Sequence, residues 1–323
     1  MRTFPEIDSR SWEHPADRAA LNAMRALPGF DDVVRRVVGF FGERGVRNFF
    51  LANAVRVGPT QRPKLDALYT EVLATFDVKD RPDLYVTQTP YANALAVGLE
   101  RPFIVINSGT LALLDREEQR FVLAHEIGHV LSGHTTYTTL AQLLLQVGIG
   151  GLPFLAGIAL LPFQLALLEW YRKAEFSADR AGLLGVQDLT PAAGTMLKFA
   201  GGGAGDDTID INTFLAQAAE YETGGTAWDS VLKALNTVFR DHPFATIRAA
   251  ELQRWAQGPA YPAILDGTYI KRSDPKPPLE NDVSEAADYY GDQFKSAMSG
   301  VTDTIDRAKR AFEDAFRGAS GGQ

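Results

Sequence analysis

Two histidines and a glutamate stand in the sequence at a spacing that suits a bound metal ion. His125, Glu126 and His129 form the pattern His-Glu-x-x-His. Residues four apart share one face of a helix, so the two imidazoles can bind one metal ion. The Glu126 carboxylate can then reach a water molecule on that metal and take a proton from it. The pattern therefore predicts a hydrolytic zinc site, with His125 and His129 as ligands and Glu126 as the base.

The residues around this motif predict a buried helix with defined ends. The other positions from 121 to 131 are apolar or small and carry no charge. Asp115 and Glu118 fit an N-cap with a capping box, and Gly133 suits the position after the last turn. A plain alternative is a core helix whose histidines only satisfy hydrogen bonds. Imidazoles and a carboxylate are costly to bury without a role, and a matching third ligand further along the chain favours the metal site.

A second predicted helix, residues 169–185, supplies that third ligand. Glu175 and Asp179 are four apart and therefore share a face. Glu175 can bind the metal, and Asp179 can accept a hydrogen bond from the other ring N–H of a ligand histidine. The alternative is an exposed acidic face that pairs with Arg172 or Arg180. The small residues on that face favour close helix packing instead.

Short β-type segments precede the metal-binding helix. Residues 84–87 and 103–106 are rich in branched and aromatic side chains, and residues 93–97 are a candidate third strand. The predicted fold class is α+β and mostly helical, with a small sheet beside the metal-binding helix. An edge strand there could pair with an extended peptide substrate, or the strands could serve only to pack the helix. The candidate substrate-binding residues are Asn93, Ala94, Phe103, Ile104 and Val105.

Composition excludes several classes of function. The chain has 323 residues, a net charge of −8 and no basic run, so nucleic acid is not expected as a partner. It contains no cysteine, which excludes disulfides and a thiolate metal site. The first residues have no apolar core of the kind that a signal peptide needs, and we therefore expect a cytoplasmic location.

Residues 135–168 carry no charge and are rich in large apolar side chains. A single membrane crossing is excluded because Glu175 must reach the same metal as His125, and two crossings would need about 40 apolar residues. Glycines near the middle predict a hairpin of two short helices. Burial within the protein is the favoured interpretation, while contact with a membrane surface or with another subunit stays open.

The order of the motifs resembles that of the gluzincin metallopeptidases, which include the HtpX heat-shock proteases and the CAAX prenyl proteases. The resemblance covers roughly residues 80 to 257. The matching residues are His125-Glu126-Ile127-Gly128-His129 with Gly133-His134, Glu175-Phe176-Ser177-Ala178-Asp179, His242-Pro243 with Arg248, and Asn93-Ala94.

This resemblance implies a zincin-like fold and one zinc ion per chain, bound by His125, His129 and Glu175. It also implies cleavage of peptide bonds in polypeptide substrates, often in misfolded or membrane proteins. Asp179 would orient a ligand, and the region of His242 and Arg248 would line the cleft. The integral members of the family carry several membrane spans around the site, whereas this chain has one short hairpin. That departure argues against membrane embedding and a prenylated substrate.

The expected mechanism leaves one role open. We expect His242, and after it Arg248, to donate a hydrogen bond to the tetrahedral oxyanion. The alternative for His242 is a fourth zinc ligand that closes the resting site. A rival function is a catalytically silent or chaperone-like metal-binding protein with the same fold, acting as an interaction or membrane-surface module. The intact Glu126 argues against this rival, because metal binding alone needs no base.

The chain divides into three predicted regions. Residues 1–78 form an N-terminal helical scaffold, and residues 79–272 form the zinc metallopeptidase core with 135–168 as an inserted helical hairpin. Residues 273–323 form a linker and an amphipathic helix over 284–317, in which apolar residues recur at spacings of four and three from Phe294 to Ala315. That helix could pack on the body, self-associate with a second copy or lie on a membrane.

Overall fold

The structure is a computed structural model, and it describes residues 1–25, 28–147, 161–202, 210–223 and 244–275. His242, the hairpin tip and the predicted C-terminal helix of residues 284–317 lie outside this described part. The self-association and membrane contact that were considered for these segments therefore stay predictions.

Helices form most of the described chain. A short 3-10 helix covers Ser9–Ser11. The α-helices are α1 (Pro15–Arg25), α2 (Phe30–Leu51), α3 (Pro63–Thr75), α4 (Ser108–Leu113), α5 (Arg116–Leu131), α6 (Thr135–Val147), α7 (Leu161–Val186), α8 (Leu189–Gly201), α9 (Ile211–Thr223), α10 (Ala245–Gln257) and α11 (Ala260–Leu265).

Four strands form one mixed sheet, which confirms the predicted α+β class. They are β1 (Ala54–Arg56), β2 (Asp83–Thr87), β3 (Ala94–Val97) and β4 (Phe103–Asn107), in the order β1-β2-β4-β3. The central strands β2 and β4 are parallel, and the edge strands β1 and β3 run antiparallel to their neighbours. Strand β1 was not predicted, because it has only three residues and lies within a largely helical region.

The strand order corrects one part of the predicted substrate-binding set. Phe103, Ile104 and Val105 lie in β4, between β2 and β3. Main-chain groups on both sides of β4 therefore pair within the sheet, and this strand cannot receive a peptide. Only Ala94 of the predicted set lies in an edge strand, and Asn93 directly precedes it.

Both faces of the sheet are covered, as expected for strands β2 and β4, in which buried side chains follow one another without polar interruption. Side chains of one face, including Leu84 and Ile104, join a hydrophobic cluster with α3, α5 and α8. Side chains of the other face, including Tyr85 and Phe103, join a second cluster with α2, α6 and α7. The sheet thus fixes α5 on one side and the hairpin helices on the other.

Glycines let α5 and α7 approach each other closely, and these helices form the most extensive contact between described elements. A Cβ atom added at Gly128 of α5 would lie 2.5 Å from the Cβ atom of Ala181 in α7. A Cβ atom at Gly185 of α7 would overlap with that of Ala124 in α5. Such separations are not tolerated in packed interiors, so only glycine fits these positions. The two helices that carry the candidate ligands are therefore held at short range.

The hairpin differs from the prediction in its second arm. The first arm is α6, whereas the second arm is continuous with the predicted second helix and forms the single helix α7. The only proline in α7 is Pro162, in the first turn, where the missing N–H costs no hydrogen bond. Leu140 and Leu144 of α6 pack with Trp170 of α7 in the protein core, which supports burial of the described arms. None of the helices in the described ranges is long and apolar enough to cross a membrane.

The glycine contact between the helices can be tested with Gly185→Ala. We expect the added methyl group to push α7 from α5, lower the free energy of unfolding by about 1–3 kcal/mol and weaken zinc binding. Thermal unfolding and zinc titration measure both effects. Gly39→Ala is the matched control, because Gly39 is exposed in α2 with open space around it. The control should be neutral or stabilise by up to about 1 kcal/mol. Equal stability and equal zinc affinity of the two variants would contradict the inference that the close approach of α5 and α7 supports the metal centre.

Candidate metal centre

Local signals fix the start and the end of α5, and with them the position of the motif. The Asp115 carboxylate accepts hydrogen bonds from the N–H groups of Glu117 and Glu118, at 2.9 and 3.0 Å. The N–H of Asp115 donates to the Glu118 side chain at 2.8 Å, which completes the predicted capping box. Gly133 follows the helix with a positive φ of 70°, as predicted for its end.

The structure brings the three predicted metal ligands together. The Nε2 atoms of His125 and His129 lie 3.2 Å apart. Glu175 reaches across from α7, with carboxylate oxygens 3.2 Å from His129 Nε2 and 3.7 Å from His125 Nε2. All three side chains are buried, and one ligand atom of each lies within 4.8 Å of the others.

This donor set fits a zinc ion. Zinc in proteins is typically tetrahedral with Zn–N distances of about 2.0–2.1 Å, which places two ligand atoms roughly 3.3 Å apart. The observed separations lie close to that value. Two imidazoles and one carboxylate are also a known zinc-binding combination that leaves a fourth position open. Burial lowers the pKa of His129 to about 4, so its imidazole is neutral near pH 7, as metal binding requires.

Asp179 holds the first ligand histidine, as the sequence predicted. Its Oδ1 atom lies 3.0 Å from His125 Nδ1, the ring nitrogen that faces away from the metal position. A ring N–H that is bound in this way leaves Nε2 with its lone pair directed at the metal. Asp179 is itself buried, one turn beyond Glu175 on α7.

Arg248 lies in the same cluster, but it contacts the carboxylates of α7. Its guanidinium donates to both oxygens of Asp179 at 2.8 and 2.6 Å, and its third nitrogen lies 2.9 Å from Glu175 Oε2. Burial would raise the pKa of Asp179, but the charge and hydrogen bonds of Arg248 outweigh it and hold this pKa below its usual range. Arg248 of α10 thus neutralises and orients two carboxylates of α7.

Two residues behind His129 were not assigned a role from the sequence. His134 Nδ1 lies 3.0 Å from His129 Nδ1, and His134 Nε2 lies 3.0 Å from Asp17 Oδ2. Burial lowers the pKa of His134, but the Asp17 carboxylate outweighs that effect and raises the pKa overall. Asp17 is on α1, far from the motif along the chain, so spacing alone could not find it. The only available signal was the short distance in sequence between His134 and His129.

His125 and Glu175 form part of the wall of a cleft of about 620 Å³, and His129 lies behind them. Glu126 lines this cleft beside them, as do Asn93 and Ala94 at the start of β3. Phe103, Ile104 and Val105 do not line it. The remaining wall is largely apolar and is contributed by α5, α8, the start of α10 and neighbouring residues, including Phe121, Val122, Met196, Phe199, Ala200, Phe244 and Ala245.

The fold and the donor set together define a zincin-like metallopeptidase. The chain belongs to peptidase family M48, whose sequence profile matches residues 59–256. The predicted resemblance is thereby confirmed.

Several curated relatives match the chain at low identity. It is 30% identical to the chloroplastic plastoglobule-localized metallopeptidase 48 of Arabidopsis thaliana over 268 residues, which cover 81% of this chain and 77% of that protein. It is 26% identical over 247 residues to a protease HtpX homolog of Moorella thermoacetica, covering 68% of this chain and 80% of that protein. A protease HtpX homolog of Helicobacter acinonychis is 24% identical over 196 residues, which cover 53% of this chain and 63% of that protein. No solved structure matches the chain significantly.

The charge balance of the cluster predicts a metal-dependent effect of Arg248→Met. Loss of the guanidinium leaves Asp179 and Glu175 buried without their shared cation, which should destabilise the metal-free protein by about 3–5 kcal/mol. Saturating zinc should recover part of this loss, because it supplies positive charge beside Glu175. Thermal unfolding with and without zinc measures the difference. The stability of Arg248→Lys should lie between those of the wild type and of Arg248→Met. A loss that is the same in both conditions would contradict the proposed charge balance.

Proposed function

We propose that this chain is a zinc-dependent endopeptidase that hydrolyses peptide bonds in protein substrates, with misfolded or membrane-associated proteins as the substrate class. The observation that carries the proposal is the convergence of His125, His129 and Glu175 beside a cleft that His125, Glu175 and Glu126 line. The family membership and the names of the relatives support a peptidase.

His125, His129 and Glu175 would hold the zinc ion. When bound, the ion would supply Lewis-acid activation of water and of the scissile carbonyl. Glu126 is the residue next to the first ligand, and its side chain is almost fully buried beside the cleft. It would accept a proton from the attacking water and then donate it to the leaving amine.

Arg248 is assigned a positioning role in place of the expected oxyanion contact. Its three guanidinium nitrogens contact Asp179 and Glu175, and it is mostly buried. These contacts support a role in fixing the carboxylate ligand and the partner of His125. His242 lies outside the described residues, and both of its predicted roles stay open as proposals.

The outer edge of β3 supports the binding of an extended peptide. In an antiparallel pair, residues bonded to the neighbouring strand alternate with residues whose main-chain groups point away. Asn107 donates its N–H to the Asn93 carbonyl at 3.0 Å, so the alternation directs the groups of Ala94 and Ala96 to the outer edge. The Thr139 hydroxyl of α6 covers the same edge at Gly98. Ala96 is only 1% exposed, whereas Ala94 lines the cleft, so the part of this edge that a peptide could reach lies at Ala94.

Glu126→Gln tests the role of the base directly. We expect kcat for an unfolded model protein to fall by about 10²–10⁴-fold, because the proton acceptor is lost while all three ligands remain. Zinc content, measured by elemental analysis, should be unchanged. Glu175→Ala is the complementary variant and should lose zinc as well as activity. Substantial hydrolysis by Glu126→Gln, or full zinc content in Glu175→Ala, would contradict the assigned roles.

Ester substitution along a cleaved peptide tests the pairing with β3. Each ester replaces one substrate N–H, and the ester opposite Ala94 removes the donor to the Ala94 carbonyl. We expect kcat/KM to fall by about two- to tenfold at that position near the scissile bond, since one hydrogen bond contributes about 0.5–1.5 kcal/mol. Esters at the neighbouring positions are the internal control. Equal effects at all positions would argue against strand pairing.

A further inference from the structure

A buried chain of hydrogen bonds continues behind the second ligand histidine. It runs from His129 Nδ1 to His134 Nδ1 and from His134 Nε2 to Asp17, with both distances at 3.0 Å. Asp17 also accepts hydrogen bonds from the Ser177 hydroxyl at 2.6 Å and from the Trp170 indole N–H at 3.0 Å. His129, His134 and Asp17 are each no more than 3% exposed. This series of hydrogen bonds is therefore shielded from solvent from His129 to Asp17.

The geometry admits one arrangement of protons when a metal is bound. A metal on Nε2 of His129 requires the proton of that ring to be on Nδ1. This N–H must donate to Nδ1 of His134, which accepts only when its own proton is on Nε2. The Nε2–H of His134 then donates to the Asp17 carboxylate. Each bond in the chain therefore selects the tautomer that the next bond needs.

The fixed position of Asp17 makes this selection effective. Its carboxylate is held by donors from α7, Ser177 and Trp170, so it cannot turn from His134 without breaking two buried hydrogen bonds. Ser177 in turn accepts a hydrogen bond at 2.9 Å from the N–H of His14, just before α1. The N-terminal helix is thus tied to α7 at the point where it meets the metal centre.

We propose that Asp17 and His134 are positioning residues that hold His129 in the tautomer and orientation required for metal binding. They act on His129 as Asp179 acts on His125, but with one imidazole inserted between carboxylate and ligand. The proposal rests on the proposed zinc site. It assigns part of the metal centre to a segment that lies before the family match begins at residue 59.

Asp17→Asn is the first test, with zinc affinity and the visible spectrum of the Co²⁺-substituted protein as readouts. The amide keeps the shape of the side chain, but it removes the negative charge and replaces one of the two acceptor oxygens, both of which face donors, with an NH2 donor. We expect zinc affinity to fall by about 10–100-fold, as is typical when the partner of a ligand histidine is lost, and the Co²⁺ bands to shift. Glu251→Gln is the matched control. Glu251 Oε2 lies 3.7 Å from Nε2 of His14, a buried histidine that is not one of the three candidate metal ligands. The control should leave zinc affinity and the Co²⁺ spectrum unchanged.

Two substitutions of His134 separate positioning from general destabilisation. In His134→Asn the side-chain oxygen can replace Nδ1 as acceptor for His129, whereas in His134→Gln the amide group lies nearer the position of Nε2. We expect His134→Asn to retain more zinc affinity than His134→Gln, even where both lower the thermal stability of the metal-free protein. If zinc affinity stays within twofold of wild type in Asp17→Asn and in both His134 variants, the positioning role of Asp17 and His134 is contradicted, whereas the proposed zinc site is not. A wild-type chain that binds no zinc would overturn both proposals.

Discussion

The close approach of α5 and α7 is the constraint on which the metal centre depends. Two ligands project from α5 and one from α7, and they meet only because Gly128 and Gly185 allow near contact between the helix backbones. A larger separation would leave Glu175 out of reach of His125 and His129. The sheet on one side and the hairpin helices on the other hold the pair in this position. Much of the fold therefore contributes to keeping α5 and α7 at this separation.

That arrangement places several charged side chains in the protein interior, where an unpaired charge is energetically unfavourable. Glu175, Asp179 and Asp17 are all almost fully buried, and each must be matched by positive charge or by hydrogen-bond donors. Arg248 provides this match for the two carboxylates of α7. Asp17 receives donors from a histidine, an indole and a hydroxyl instead. The buried carboxylates are therefore matched by His134, by Trp170 and Ser177 of α7, and by Arg248 of α10.

The N-terminal region is more closely joined to the core than the predicted scaffold of residues 1–78 suggests. Phe4, Ile7 and Trp12 are fully buried and share a hydrophobic cluster with α5. Strand β1 from the same region completes the sheet. The boundary at residues 78 and 79 remains a prediction about the chain, but the metal-binding helix packs against residues from both sides of it.

The sequence by itself determined the parts of this protein that depend on local spacing. The ends of α5 followed from Asp115, Glu118 and Gly133, and the pairing of His125 with His129 followed from the helical period, because neighbouring residues set both. Short runs of branched and aromatic residues bounded by turn residues likewise located β2 and β4 and indicated β3 as a candidate. The tertiary structure alone decided which strand lies at the edge, that Arg248 contacts carboxylates, and that Asp17 supports His129 through His134. Those contacts join residues far apart in the chain, and their distances depend on how whole helices pack, which no local pattern records.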